Sequence, residues 1–204
     1  MSIKNVKKSL NEISKSLAVS QDSREFLIRN SRQVIISCSQ SIIAVHKGDV
    51  KTAKKKALEA KKLLNGLKKK AAGDLVRYLI TPEQELVEAF SLIAIFEKKD
   101  IPSIKTMGVS NESYILGLLD CIGELKRLIF DKIRTGDSKD ASRIFDIMQN
   151  LYQYLYPFAT YDKIVKETRR KLDVNRSLVE DARSALTEEI RRADLINAIK
   201  KSKK

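Results

Sequence analysis

Four acidic residues have the type and spacing to do chemistry together. Glu85 and Glu88 lie in EQELVEAFSLIAIF, residues 83–96, and Asp120 and Glu124 in YILGLLDCIGELKR, residues 114–127. Helical steps of three and four residues put each pair on one side of its segment. Between residues 86 and 96 only Glu88 and Ser91 are polar, and a helix apolar on all sides is a buried one. A lone buried carboxylate costs several kcal/mol or takes up a proton unless a cation or hydrogen-bond donors compensate it. A Lys or Arg from a neighbouring helix is one such partner. If the two helices pack side by side, four carboxylates converge, and a hard divalent cation resolves their repulsion. An all-oxygen set suits Mg²⁺ or Mn²⁺. Such an ion acidifies the water it holds and steadies charge on a phosphoryl group during hydrolysis. Gly117 and Gly123 each cost about 1 kcal/mol in a helix interior relative to Ala, which implies a close neighbour on that face. A solvated stripe on an amphipathic helix is the plainer alternative.

Other chemistries find little support. His46 is the only histidine, which argues against zinc sites and Ser-His or Cys-His triads and for a packed, hydrogen-bonded ring. Cys38 and Cys121 fit no metal or redox spacing and read as reduced core thiols of an intracellular, cytoplasmic protein. GxxxxGK[ST] is absent. The tyrosines of LYQYLYPFATY read as core packing, with stacking on bases as the alternative. The start shows no apolar signal segment. The runs VIISCSQSIIAV and SLIAIF are too short or too polar to span a bilayer.

The formal net charge is +14, and residues 51–70 carry nine lysines against one glutamate. A field of that size favours a polyanion, although a lysine-rich face can also serve solubility alone. No acidic stretch elsewhere cancels it, which points to nucleic acid rather than membrane.

The elements that must position the acids read as helices throughout. Only three prolines and seven glycines interrupt 204 residues, and no stretch alternates long enough for a strand. Residues 2–18 form a basic amphipathic helix with Ile3, Val6, Leu10, Ile13 and Leu17 on one face. Asp22 or Ser23 is expected to cap a second helix running through Val45. Gly48-Asp49 stops one helix and caps the next, which runs to about Lys70, and Gly136-Asp137 repeats the device. Thr81, Pro82 and Gln84 form an expected capping box at the start of the next helix. A helix over roughly 137–156 ends at Pro157, and the last is expected from about Tyr161 to Lys200. The fold class is all-α: about seven helices in one antiparallel bundle spanning 1–204, with 1–19 a basic N-terminal helix free to move.

EQELVEA (83–89) together with YILGLLDCIGELKR (114–127) resembles the translin family, on the branch of translin-associated factor X. SREFLIRNSRQVIISCSQSIIAVHKGD (23–49), RTGD (134–137) and KLDVNRSLVEDAR (171–183) extend the resemblance over nearly the whole chain from about residue 20. The resemblance implies a hollow oligomer, an octamer or hexamer, that binds single-stranded RNA and DNA. Its catalytic branch is a metal-dependent endoribonuclease with acidic residues on the inner wall. Carried over by position, Glu85, Glu88, Asp120 and Glu124 match that acidic set, as both catalytic and metal-holding residues. Translin proper lacks the full set. The animal catalytic subunit works beside a separate translin subunit, whereas a single chain is similar to archaeal homologues, which serve as shell, binder and catalyst together. Arg32, Arg77 and Arg127 are candidates for nucleic-acid contact, and Arg32 and His46 also match family positions.

Two competing readings stay open on the sequence. One is a non-catalytic single-strand binder whose acidic pairs are salt bridges. The other is a helical scaffold whose basic surface meets a protein or membrane.

Overall fold

The computed structural model describes residues 3–202. Seven α-helices make up the described residues: α1 (Lys4–His46), α2 (Val50–Lys68), α3 (Ile80–Phe96), α4 (Ile104–Met107), α5 (Asn111–Arg134), α6 (Ser138–Leu155) and α7 (Thr168–Ser202). Short 3-10 turns, Gly73–Leu79 and Tyr156–Tyr161, precede α3 and follow α6. The all-helical class holds.

The Gly-Asp junctions work as expected. Gly48 and Gly136 take φ of +77° and +76°, a left-handed conformation that glycine adopts without a Cβ clash. Asp49 then accepts the Thr52 N–H at 3.0 Å and Asp137 the Asp140 N–H at 3.1 Å, capping α2 and α6. Where α1 packs on α2, Ala53, Ala57 and Ala60 are fully buried. Ser41 donates to the Ala53 carbonyl at 2.8 Å.

The structure differs from the sequence expectation at three places. The two helices expected over 2–45 are one 43-residue helix. No glycine or proline occurs before Gly48, so nothing breaks the hydrogen-bond ladder, and Asp22 and Ser23 lie inside α1 rather than capping it. At α3, the 3-10 turn runs straight into the helix, with the Ile80 N–H bonded to the Arg77 carbonyl. Thr81 therefore has no capping role, and Gln84 reaches sideways to Asp120 instead of completing a capping box. Pro82 still lies in the first turn, where its missing N–H has no helical partner to lose. The last helix begins at Thr168, not near Tyr161, because the chain after Pro157 coils through the 3-10 turn and Glu167 takes φ of +72°. The tyrosines of that region are not core residues as a group. Tyr152 packs on the core, while Tyr154, Tyr156 and Tyr161 are 76%, 59% and 53% exposed.

The core lies around α3, which is buried on nearly all sides. α1 and α2 pack on it from one side and α5 from the other, and α6 and α7 close over α5. No residue of α1 before Leu27 is buried, so its first turns extend beyond the body of the domain.

Candidate metal centre

The seam between α3 and α5 brings the four acids together. Gly117 explains how: a Cβ there would fall 2.5 Å from the Gln84 carbonyl oxygen and 2.6 Å from the Val87 Cβ. Glycine lets the two backbones touch beside Glu85 and Glu88, and Asp120 and Glu124 follow one and two turns later. Gly123 has no such reason. Its nearest neighbour, Leu178, would meet an added Cβ at an ordinary 3.9 Å.

Each acid differs in its surroundings. Asp120 accepts from Gln84 on α3 and from the Lys171 ammonium on α7. Glu124 meets the His46 ring at 2.6 Å and, at 3.8 Å, the exposed Arg127 guanidinium. The His46 ring, only 4% exposed, also touches Asp131 at 3.1 Å through its other nitrogen. It donates to both carboxylates when it carries both protons. Two of the four acids are thus compensated by basic side chains.

Glu85 and Glu88 are not. Among the described residues neither makes an ion pair or a side-chain hydrogen bond. Burial pushes the Glu88 carboxyl up to about 9, with Asp120, Glu85 and Glu124 adding to the rise and Lys171 opposing it. Burial also raises Glu85, with Asp120 and Glu124 adding to it and Lys171 again opposing. The thiols of Cys38 and Cys121, both fully buried, are driven up by burial and then by the same carboxylates, so they lie beneath the cluster.

Glu83 is the internal control. It is as buried as Glu88, at 4% against 9% exposed. Burial pushes its carboxyl up as well, but the Lys68 ammonium at 2.7 Å and the Ser110 N–H at 2.8 Å outweigh that and hold it below the ordinary range. This fold satisfies a structural carboxylate fully. It leaves Glu88 bare, one turn and a half further along the same helix.

The donor set suits a hard divalent ion by its chemistry: clustered carboxylates, two of them without protein partners. As arranged, however, no three His, Cys, Asp or Glu side chains among the described residues stand at ion-holding geometry. In this arrangement Asp120 is bound to Lys171 and Glu124 to His46.

Of the arginines, Arg32 is exposed on α1 and takes no part in the contacts described above. Arg77, also exposed, stacks on Tyr78 at 5.2 Å from the ring centroid. Arg24 covers the same ring at 5.8 Å and donates to its hydroxyl at 2.8 Å, and hydrogen bonds from Arg77 and Arg24 lower the Tyr78 hydroxyl. Sequence reasoning gave Lys171, Arg24 and Tyr78 no role, read Gln84 as a helix cap rather than a partner of Asp120, and gave His46 no acidic partners. Lys171 opens KLDVNRSLVEDAR, a stretch singled out for its resemblance, which was the available signal.

The chain belongs to the Translin family, whose model matches residues 22–185. Among its relatives, an uncharacterized protein of Methanocaldococcus jannaschii is 37% identical over 176 residues, 84% of this chain and 78% of that one. The crystal structure of AfC3PO superposes with a TM-score of 0.83 at 30% identity, over 90% of this chain and 98% of that one. Its duplex RNA complex gives 0.83 at 29%, covering 90% and 97%. Apo-NeC3PO, at 19% identity, shares the fold, with a TM-score of 0.78 over 88% of this chain and 96% of that one. No helix among the described residues is long and apolar enough to cross a membrane.

Proposed function

We propose that this protein is a metal-dependent endoribonuclease that binds and cuts single-stranded RNA, also binds single-stranded DNA, and works as a homo-oligomeric shell. The observation that carries the reading is Glu88: a buried carboxylate with no protein partner, beside three other acids, in a fold that neutralises Glu83 fully. The RNA complex of a neighbour at 29% identity and the +14 charge support RNA as the ligand.

Glu85, Glu88, Asp120 and Glu124 would hold one or two Mg²⁺ or Mn²⁺ ions. Bound there, the metal supplies Lewis acidity for activating water and for stabilising the phosphoryl group. His46, braced by Asp131, orients Glu124. Gly117 fixes the spacing of the two helices. Arg127 lies one turn beyond Glu124 on the exposed side, placed to meet a phosphate, and Arg32 and Arg77 offer further contacts.

The test is cleavage of a single-stranded RNA oligonucleotide in Mn²⁺. Asp120→Ala and Glu88→Ala should abolish cutting while binding survives, and binding should weaken steeply with salt. Wild-type cutting by both variants would remove the site assignment. The pairing of Asp120 with Lys171 and of Glu124 with His46 favours a second reading, a non-catalytic single-strand binder. EDTA separates the two: it leaves binding intact in either case and erases cleavage only if there is cleavage to erase.

A further inference from the structure

Lys171 stands on the first turn of α7, and its ammonium is bound to Asp120. It is also the cation whose field opposes the charges of Glu85 and Glu88. One side chain thus holds positive charge against three of the four acids, from a helix that contributes no acid of its own to the group. Beside it a cleft of about 260 Å³ between α5 and α7 is lined by Asp120, Gly123, Arg170, Lys171 and Asn175. The backbone around it is fixed. Asn175 donates to the Leu119 carbonyl at 2.9 Å, and the Arg169 N–H bonds Asp162 at 2.9 Å. The lysine stem is therefore the movable part, and the cleft gives its ammonium room to turn.

Resting on the proposed metal site, we infer that Lys171 is an exchangeable internal counter-ion: it holds Asp120 while the site is metal-free and is displaced into the α5–α7 cleft when a divalent ion binds. Lysine suits this task. Its ammonium is a compact charge on a flexible stem, with no planar fork to lock it onto one carboxylate. A cation that must be displaced weakens metal binding, because the two compete for the same oxygens. Removing the competitor has the opposite effect from removing a structural support.

Isothermal titration of Mn²⁺ into the full chain, without RNA and at fixed pH, reads this directly. Lys171→Met, which keeps the stem and drops the charge, should bind Mn²⁺ about tenfold tighter than wild type, the effect expected of a neighbouring charge pair. Lys171→Arg should bind no tighter than wild type. Equal or weaker affinity in Lys171→Met would overturn the exchange and leave the metal site standing. Absence of Mn²⁺ binding by the wild type would overturn the metal site itself, and the exchange with it. Should Lys171→Met not fold, lysine side-chain NMR of the wild type decides. The Lys171 ammonium signal, assigned by its loss in Lys171→Arg, should move on adding Mg²⁺, and an unmoved signal would overturn the proposal.

Discussion

Glu83 and Glu88 occupy the same helix, are similarly buried, and have opposite electrostatic fates. Sequence spacing marked Glu88 as important but passed over Glu83, because the Lys68 and Ser110 groups that satisfy Glu83 come from distant segments. The bare state of Glu88 has a measurable consequence. Unfolded, it ionises near 4.5; folded, near 9. Between those values the folded chain keeps a proton that the unfolded chain has released, so stability falls as pH rises through that window. Glu88→Gln removes the ionisation. In EDTA its melting temperature at pH 8.5 should exceed wild type by at least about 2–4 °C, the shift that roughly 1 kcal/mol makes in a chain of this size, and should match wild type near pH 4. Identical melts at both pH values would contradict the buried, unpaired state. In the proposed metal site His46 would hold Glu124 from behind as the outer partner of a ligand, so His46→Ala should weaken Mn²⁺ binding roughly 10–100-fold. Calorimetry on the metal-free variant measures it. A histidine on an apolar helix reads as a packed ring, and only the fold could supply its two carboxylates.

At the scale of elements, much was legible because the signals were local. Gly48-Asp49 and Gly136-Asp137 announce their own geometry, and α6 stops where Pro157 requires. The misreadings came from side chains that take part in two vocabularies. Asp22, Ser23 and Thr81 have capping chemistry, but a cap needs a chain that leaves the helix, and no breaker forces it to leave there. The paired glycines of α5 show the same limit. Both signal close approach equally in sequence, yet only Gly117 has backbone against it. Gly117→Ala should drive α3 and α5 apart and lower stability by about 1–3 kcal/mol, the usual cost of overpacking, with loss of any Mn²⁺ affinity. Gly123→Ala should be neutral or stabilise by up to about 1 kcal/mol. Urea unfolding of the two variants side by side checks both signs, and a tolerant Gly117→Ala would mean the seam yields more easily than its contacts suggest.

For the whole molecule, the fold class followed from the scarcity of Gly and Pro and the absence of alternation, and the carboxylate seam from two short motifs. Assembly left a weaker trace. The apolar stripe of Ile3, Val6, Leu10, Ile13 and Leu17 was legible as amphipathic. The structure shows that the body of the chain leaves these side chains 74%, 56%, 59%, 52% and 63% exposed. Leu195, Ile196 and Ile199 near the end of α7 are exposed as well. An apolar stripe left uncovered in this way fits a protein interface, and in the proposed oligomer a second copy of the chain would cover it. Leu10→Lys with Ile13→Lys should reduce the native mass toward that of the monomer while leaving the helical circular dichroism and melting temperature near wild type. An unchanged mass would place the contacts elsewhere.

The unburied stretch of α1 from Lys4 to Phe26 measures roughly 35 Å at 1.5 Å per residue. That is about twice the radius of gyration of a body this size, ~17 Å. A neighbour gripping such a strut by its far end is kept at arm's length from the domain that owns it.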